Sequence, residues 1–210
     1  MLAKLASEGN EVFSLLTTRG EGGEVGEPPV CPKEQLGAYR EAEAREAARA
    51  LGATEIFFLD FVDPHMEIDG VAQSIDATIE EFSGAIANYL RRLRPDVVLT
   101  HGQDGEYGHP QHRLTHQAVR AAIRSLSPWQ PAEFITWMAR TEANVEERLT
   151  NKSDPANEVL DVTPWWEHKV AAALAHRSQH AMFVRNSKKP TVPDMVRKIE
   201  TFRHWALEDL

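Results

Sequence analysis

The chain has 210 residues, 42% of them hydrophobic and 26% charged, with a formal net charge of −9. That is enough chain for one substantial domain with its own core. The acidic balance argues against a general affinity for nucleic acid or an anionic membrane surface, but leaves room for a small phosphate-bearing substrate. The single cysteine, Cys31, rules out an intrachain disulfide and a Cys-rich metal cluster, and it fits a reducing cytoplasm. No apolar run approaches the roughly 20 residues that span a bilayer, and residues 1–6 are too short an apolar stretch for a signal peptide.

Residues 1–8 open with Leu2, Leu5 and Ala6 at helical spacing and close on Gly9, a C-terminal cap. Residues 12–18 (VFSLLTT) read as a buried strand. A Gly- and Glu-rich loop over 19–26 follows, and Pro28, Pro29 and Pro32 keep the next stretch irregular. The spacing predicts a helix over 33–51 with Gly52 as its stop, a strand over 56–61, a loop over 62–70 and a helix over 71–93. A short strand over 97–100 and a loop over 101–109 feed a helix from Pro110 to about Ser125, with Leu114, Ala118, Ala121 and Ala122 on its apolar face. Another strand covers 134–138, residues 141–158 read as polar and irregular, and 160–162 form a short strand. A helix then runs from Pro164, capped by Thr163, to about Gln179. A C-terminal helix covers 193–207, with Met195, Val196, Ile199 and Phe202 on one face. Strand–helix alternation argues for a mostly parallel sheet covered on both sides.

The segment 105–112 reads Gly-Glu-Tyr-Gly-His-Pro-Gln-His, directly after an apolar strand. It places two imidazoles at the end of a strand, where α/β folds put their chemistry. Pro110 suits the first helical position, so His109 caps the helix and His112 lies in its first turn. The positive end of a helix disfavours imidazolium, and neutral imidazole is the form that binds a divalent metal. His112 is thus a candidate ligand, and His109 a candidate general acid or oxyanion donor. A His-x-x-His pair alone is commonly incidental, and Asp104 and Glu106 have no spacing that singles them out as the base. His116, at i+4 from His112, reads as a solvated surface residue. Arg40 and Glu43 form an i, i+3 pair that is either a surface ion pair or a substrate contact. The glycines of 20–26 lack the phosphate-loop lysine and read as a plain loop. Trp165 and Trp166 read as core or interface residues, with sugar stacking as the alternative, and His176 and His180 as surface residues.

Taken together, residues 100–113, the loop Thr18-Arg19-Gly20-Glu21-Gly22-Gly23-Glu24, the helix motif from Arg40 to Gly52, and Lys169 through His176-Arg177-Ser178-Gln179 resemble the LmbE-like (PIG-L) de-N-acetylase family. The resemblance implies a Rossmann-like fold, a divalent metal, usually zinc, and hydrolysis of an N-acetyl group from an N-acetylglucosamine-type sugar. It implies that His112 is a metal ligand and His109 the acid or oxyanion-stabilising histidine. Tyr107 would lie over the site, Arg40 near the substrate, and Asp63 on a sugar hydroxyl. Two departures stand out. Gln111 occupies a position that is commonly Asp in the family, and the Ala-His-Pro-Asp-Asp motif that carries the other metal ligands and the base does not occur in these residues. The expectation is therefore a single α/β domain over 1–210, Rossmann-like, with helices on both faces of a mostly parallel sheet and the family's first strand missing. Its function would be that of a zinc-dependent hydrolase of a small amino-sugar or N-acyl substrate. The alternative is a non-catalytic family remnant that binds a small ligand or a protein partner. A homo-oligomer stays open.

Overall fold

A computed structural model describes residues 1–64, 67–68 and 71–210, with the backbone alone at 67, 68, 71 and 72. In chain order the elements are α1 (Leu2–Ser7), β1 (Phe13–Leu16), α2 (Leu36–Ala50), β2 (Glu55–Phe58), β3 (Glu67–Ile68), β4 (Val71–Ala72), α3 (Ile79–Leu93), β5 (Val97–Thr100), α4 (Gly105–Gly108), α5 (Pro110–Arg124), β6 (Glu133–Trp137), β7 (Ala139–Arg140), β8 (Asn151–Pro155), β9 (Glu158–Asp161), α6 (Trp166–Ala175), α7 (His180–Ser187), α8 (Val192–Met195) and β10 (Ile199–Trp205). The chain forms two compact units, Met1–Met66 with Asp161–Ile199, and Glu67–Leu160 with Glu200–Leu210.

In the first unit β1 and β2 run parallel, pairing Phe13 with Glu55 through Leu16 with Phe58. Helix α2 buries Leu36, Gly37, Glu43, Ala44, Ala47 and Ala48, a stripe at helical spacing. Ala44 and Ala48 pack on Ile56 and Phe58, while Ala47 meets Ala172 and Ala175 of α6. Small residues on both helices let their backbones approach closely. Glu43 sits inside this apolar stripe, wholly buried. Its carboxyl accepts from the Ser178 backbone N–H (2.8 Å) and hydroxyl (2.7 Å). The surface ion pair read for Arg40 and Glu43 is therefore not what this helix makes.

The second unit holds a four-stranded sheet in the order β5-β6-β10-β9, with β5 and β6 parallel and β10 antiparallel to β6. The fold is α/β with a mostly parallel arrangement, as expected, and β10 against β6 and β3 against β4 are antiparallel. Helices α3 and α5 pack against one another. Helix α3 starts at Ile79, not at 71, because Thr78 and Glu81 close a reciprocal capping box there. It ends at Arg94 in a left-handed conformation (φ 47°), one residue before Pro95. Removing the cap with Thr78→Ala should cost about 1 kcal/mol, read as a lower urea midpoint with an unchanged slope.

Three other expectations are corrected. The C-terminal helix is only α8, and Ile199–Trp205 is a strand. Its seven residues are rich in β-branched and aromatic types, and they pair with β6 from Phe202 opposite Trp137 to Trp205 opposite Phe134. The polar stretch 141–158 contains β8, which pairs parallel with β7. The helix read over 164–179 is interrupted after Ala175, and α7 follows it from His180. Of the loop read over 62–70, residues 65, 66, 69 and 70 lie outside the described residues.

Candidate active site

The site is built at the carboxyl end of β5. Thr100 ends the strand, His101 begins the turn, and the short α4 leads through His109 into α5. Within α4 the backbone leaves helical geometry at Glu106 (φ 58°, ψ −58°). That is a strained region for a residue with a side chain, and it persists only where its surroundings over-determine it. Here they do. The Glu106 backbone N–H donates to Asn151 Oδ1 at 2.9 Å, and its carbonyl accepts from the Thr150 N–H at 3.2 Å.

The side chain of Glu106 is almost fully buried (5% exposed) and accepts five hydrogen bonds. Oε1 takes Trp137 Nε1–H at 2.8 Å, an Asn151 Nδ2–H at 3.2 Å and the Gly102 N–H at 3.3 Å. Oε2 lies 3.0 Å from His101 Nδ1 and 2.5 Å from His112 Nδ1. Asn151 is pinned again by donating to the Trp137 carbonyl. A Cβ at Gly102 would lie 2.2 Å from Asn151 Cγ, so the strand-to-turn passage needs glycine at this position.

The three imidazoles stack. His101 and His112 have ring centroids 4.0 Å apart, and His109 lies 4.6 Å from His112 on the ring centroids. Tyr107 stands edge-on to His109 and His112, at 5.6 and 5.8 Å. Burial alone would raise the Glu106 carboxyl, but hydrogen bonds from His101 and His112 outweigh it and hold the group well below the ordinary range. Burial lowers His101, and burial reinforced by His112 and His101 pushes His109 down to about 4. An ionised oxygen that accepts from two ring nitrogens fixes a proton on each Nδ1, which leaves each Nε2 as the free lone pair.

His109, Tyr107 and His112 are thus brought together in the second unit. His109 Nδ1 is buried without a hydrogen-bond partner among the described residues. Gln111 is engaged elsewhere: its Oε1 accepts from the Ile75 N–H and its amide nitrogen donates to Thr115. Arg40 and Asp63 lie in the first unit, where both grip the 18–24 loop. The Arg40 guanidinium donates to the carbonyls of Gly20 and Glu24, while Asp63 accepts from the Gly22 N–H and the Thr18 hydroxyl. Burial lowers Arg40 and raises Asp63 from their ordinary values. The loop is therefore not plain and free. A Cβ on Gly22 would meet the Pro64 carbonyl oxygen at 1.6 Å. His116 is not a surface residue either. It is 3% exposed, and its Nδ1 donates to the His101 carbonyl at 2.9 Å.

The residues missed by sequence reasoning are Glu106, His101, Asn151 and Trp137. His101 had a usable signal, since it follows the strand directly. Glu106 had a fainter one, a carboxylate between Gly105 and Gly108, both at positive φ.

Donor atoms of His101, Glu106 and His112 lie within 4.8 Å of one another. Two imidazoles beside a carboxylate are donor types that suit a divalent transition metal. A carboxylate on Nδ1–H of a ligating histidine is the usual way such a ring is oriented. The residues present therefore fit a metal.

An α/β sheet with a histidine–glutamate cluster able to hold a metal at the carboxyl end of a parallel strand has the donor types that metal-assisted hydrolysis uses. The pattern of the GlcNAc-PI de-N-acetylase (PIG-L) family matches residues 1–123, and the chain belongs to that family. A 1D-myo-inositol 2-acetamido-2-deoxy-alpha-D-glucopyranoside deacetylase of Rhodococcus jostii (strain RHA1) is 34% identical to it, over 98% of this chain and 84% of that protein. Among solved structures, the N,N'-diacetylchitobiose deacetylase of Pyrococcus horikoshii superposes with a TM-score of 0.68 at 23% identity, over 97% of this chain and 76% of that one. The 4-carboxy-2-hydroxymuconate hydratase GalB of Pseudomonas putida shares the fold as well, with a TM-score of 0.64 at 19% identity, over 98% of this chain and 88% of that one. Fold alone therefore does not select the chemistry.

Proposed function

We propose that this chain is a zinc-dependent hydrolase that removes the acetyl group from an N-acetylglucosamine-type sugar. One observation carries the reading beyond family membership. Glu106 holds His101 and His112 in a common tautomer, with their Nε2 lone pairs free, beside His109 and at the N-terminus of α5. His112 is the assigned metal ligand, with His101 as the neighbouring imidazole donor and Glu106 as the carboxylate that orients both rings from Nδ1. A divalent metal bound there supplies Lewis acidity for the attack of water on the amide carbonyl.

His109 gives a hydrogen bond to the oxygen on which negative charge develops, and relays to the departing amine the proton that the attacking water releases. The N-terminus of α5 favours the same negative charge. Tyr107 covers the imidazoles on one side. Arg40 and Asp63 hold the 18–24 loop of the first unit in place. We place the protein in the cytoplasm, on its single cysteine and the absence of a membrane-spanning helix among the described residues.

The test is metal loading followed by turnover. Purified protein should take up about one zinc per chain and release acetate from a chromogenic N-acetylglucosamine derivative. His112→Ala should lose both properties while keeping its circular dichroism. A wild-type chain that takes up no zinc on reconstitution would sink the reading.

A further inference from the structure

A cation stands beside the site with no ion-pair partner among the described residues. Residues 141–150 form a loop whose root is fixed. The buried Asn144 accepts from the Thr141 N–H at 2.7 Å and donates to the Ala139 carbonyl at 3.0 Å. Thr150 ties the far end to the Asn144 carbonyl and to Glu106. Near its tip the loop displays Arg148, exposed, with the guanidinium carbon 4.8 Å above the centre of the Tyr107 ring. The same ring stands edge-on to His109 and His112.

Glutamates 142, 146 and 147 belong to the same loop, yet among the described residues Arg148 makes no ion pair or hydrogen bond. A guanidinium held over a ring face spends no hydrogen-bond acceptor on that contact, and its N–H fork matches the two oxygens of a carboxylate or phosphate. Contact with the ring also pre-orders a long side chain and so reduces the entropy cost of using it. In a chain with a net charge of −9, an anionic ligand needs such a local cation to offset the general repulsion. A neutral amino sugar needs none.

We propose that Arg148, held on Tyr107 at the rim of the histidine cluster, selects N-acyl amino sugars that carry an oxyanionic substituent, a phosphate or a carboxylate. The proposal rests on the deacetylase reading for the sugar and adds the charge.

Binding tests it without requiring turnover. Calorimetry would compare N-acetylglucosamine with its 1-phosphate, its 6-phosphate and N-acetylmuramic acid on wild type, Arg148→Ala and Arg148→Lys. At least one anionic sugar should bind about tenfold more tightly than the neutral one, the advantage of a charge-assisted pair. The preference should shrink as salt is raised. Arg148→Ala should remove it and leave the neutral sugar and zinc uptake unchanged, whereas Arg148→Lys should keep part of it. The phosphate and carboxylate arms identify which anion is chosen. Equal affinity for neutral and anionic sugars, no measurable binding of any anionic sugar, or an equal loss for all sugars in Arg148→Ala would overturn the proposal. Acetate release, assayed separately, reports on the deacetylase reading. Charge preference without hydrolysis would keep the selector and reject the reaction, and hydrolysis without preference would do the reverse.

Discussion

Glu106→Gln is expected to leave the chain folded and to weaken zinc binding by about 100-fold, near the upper end of what losing a ligand-orienting partner costs. The argument is one of proton positions. Three groups face Oε1, and all must donate. Trp137 Nε1–H and the Gly102 N–H have no acceptor character, and Asn151 presents its amide nitrogen because its oxygen accepts from the Glu106 backbone. The single oxygen of a glutamine must therefore take this side, which turns its NH2 toward His101 and His112. Each Nδ1 then has to accept, and its proton moves to Nε2, the atom a metal would need. Nitrogen-15 NMR of the imidazoles should report the tautomer change, and titration calorimetry the lost affinity. Glu106→Ala is the less informative variant. It strands three buried donors and two imidazoles and should cost about 3–5 kcal/mol, enough to confuse unfolding with loss of the site. Wild-type zinc affinity in Glu106→Gln would reduce Glu106 to a structural acid.

Legibility in the sequence followed the range of the interactions involved. Local signals were enough for α5, where Pro110 and the apolar spacing fix start and face, and for β1, β2, β5 and β6, whose apolar runs are short and bounded. They were also enough to select His109 and His112, which lie three apart at a helix start. They failed at β10. Met195, Val196, Ile199 and Phe202 do fit one helical face, but Phe202–Trp205 find their partners 65 to 71 residues earlier in β6, and that pairing decides the strand's conformation. They failed at α3 by a smaller margin, since the capping box at Thr78 is a start signal that apolar periodicity over 71–93 obscured. At the site, the weight of Glu106 comes from Trp137 and Asn151, residues 31 and 45 positions later in the chain. No spacing within 101–112 reveals them. The same holds for His116, which looks solvent-facing beside His112 and is buried because the His101 carbonyl needs a donor.

Glu43→Ala is expected to be among the most destabilising single changes in the first unit, at about 3 kcal/mol by chemical denaturation, or a thermal midpoint lower by roughly 6–12 °C for a chain of this size. Glu43 lies in the alanine-rich stripe of α2, with no exposure. Nothing polar replaces it on truncation, so the Ser178 N–H and hydroxyl are left buried without their acceptor, and a cavity opens beside them. Glu43→Gln separates these terms. The amide oxygen can still take the Ser178 N–H, and the hydroxyl can rotate to accept from the amide nitrogen, so a loss below about 1.5 kcal/mol is expected. Ser178→Ala removes the hydroxyl alone, and the double variant Glu43→Ala/Ser178→Ala should be clearly less damaging than the sum of the two single changes, because the pair shares one contact. Additive losses would mean that Glu43 acts through some other neighbour. The comparison also bears on why a carboxylate sits in an apolar stripe at all. It ties the turn after α6 to the middle of α2, a connection between distant parts of the chain that alanine packing alone would leave free to slide.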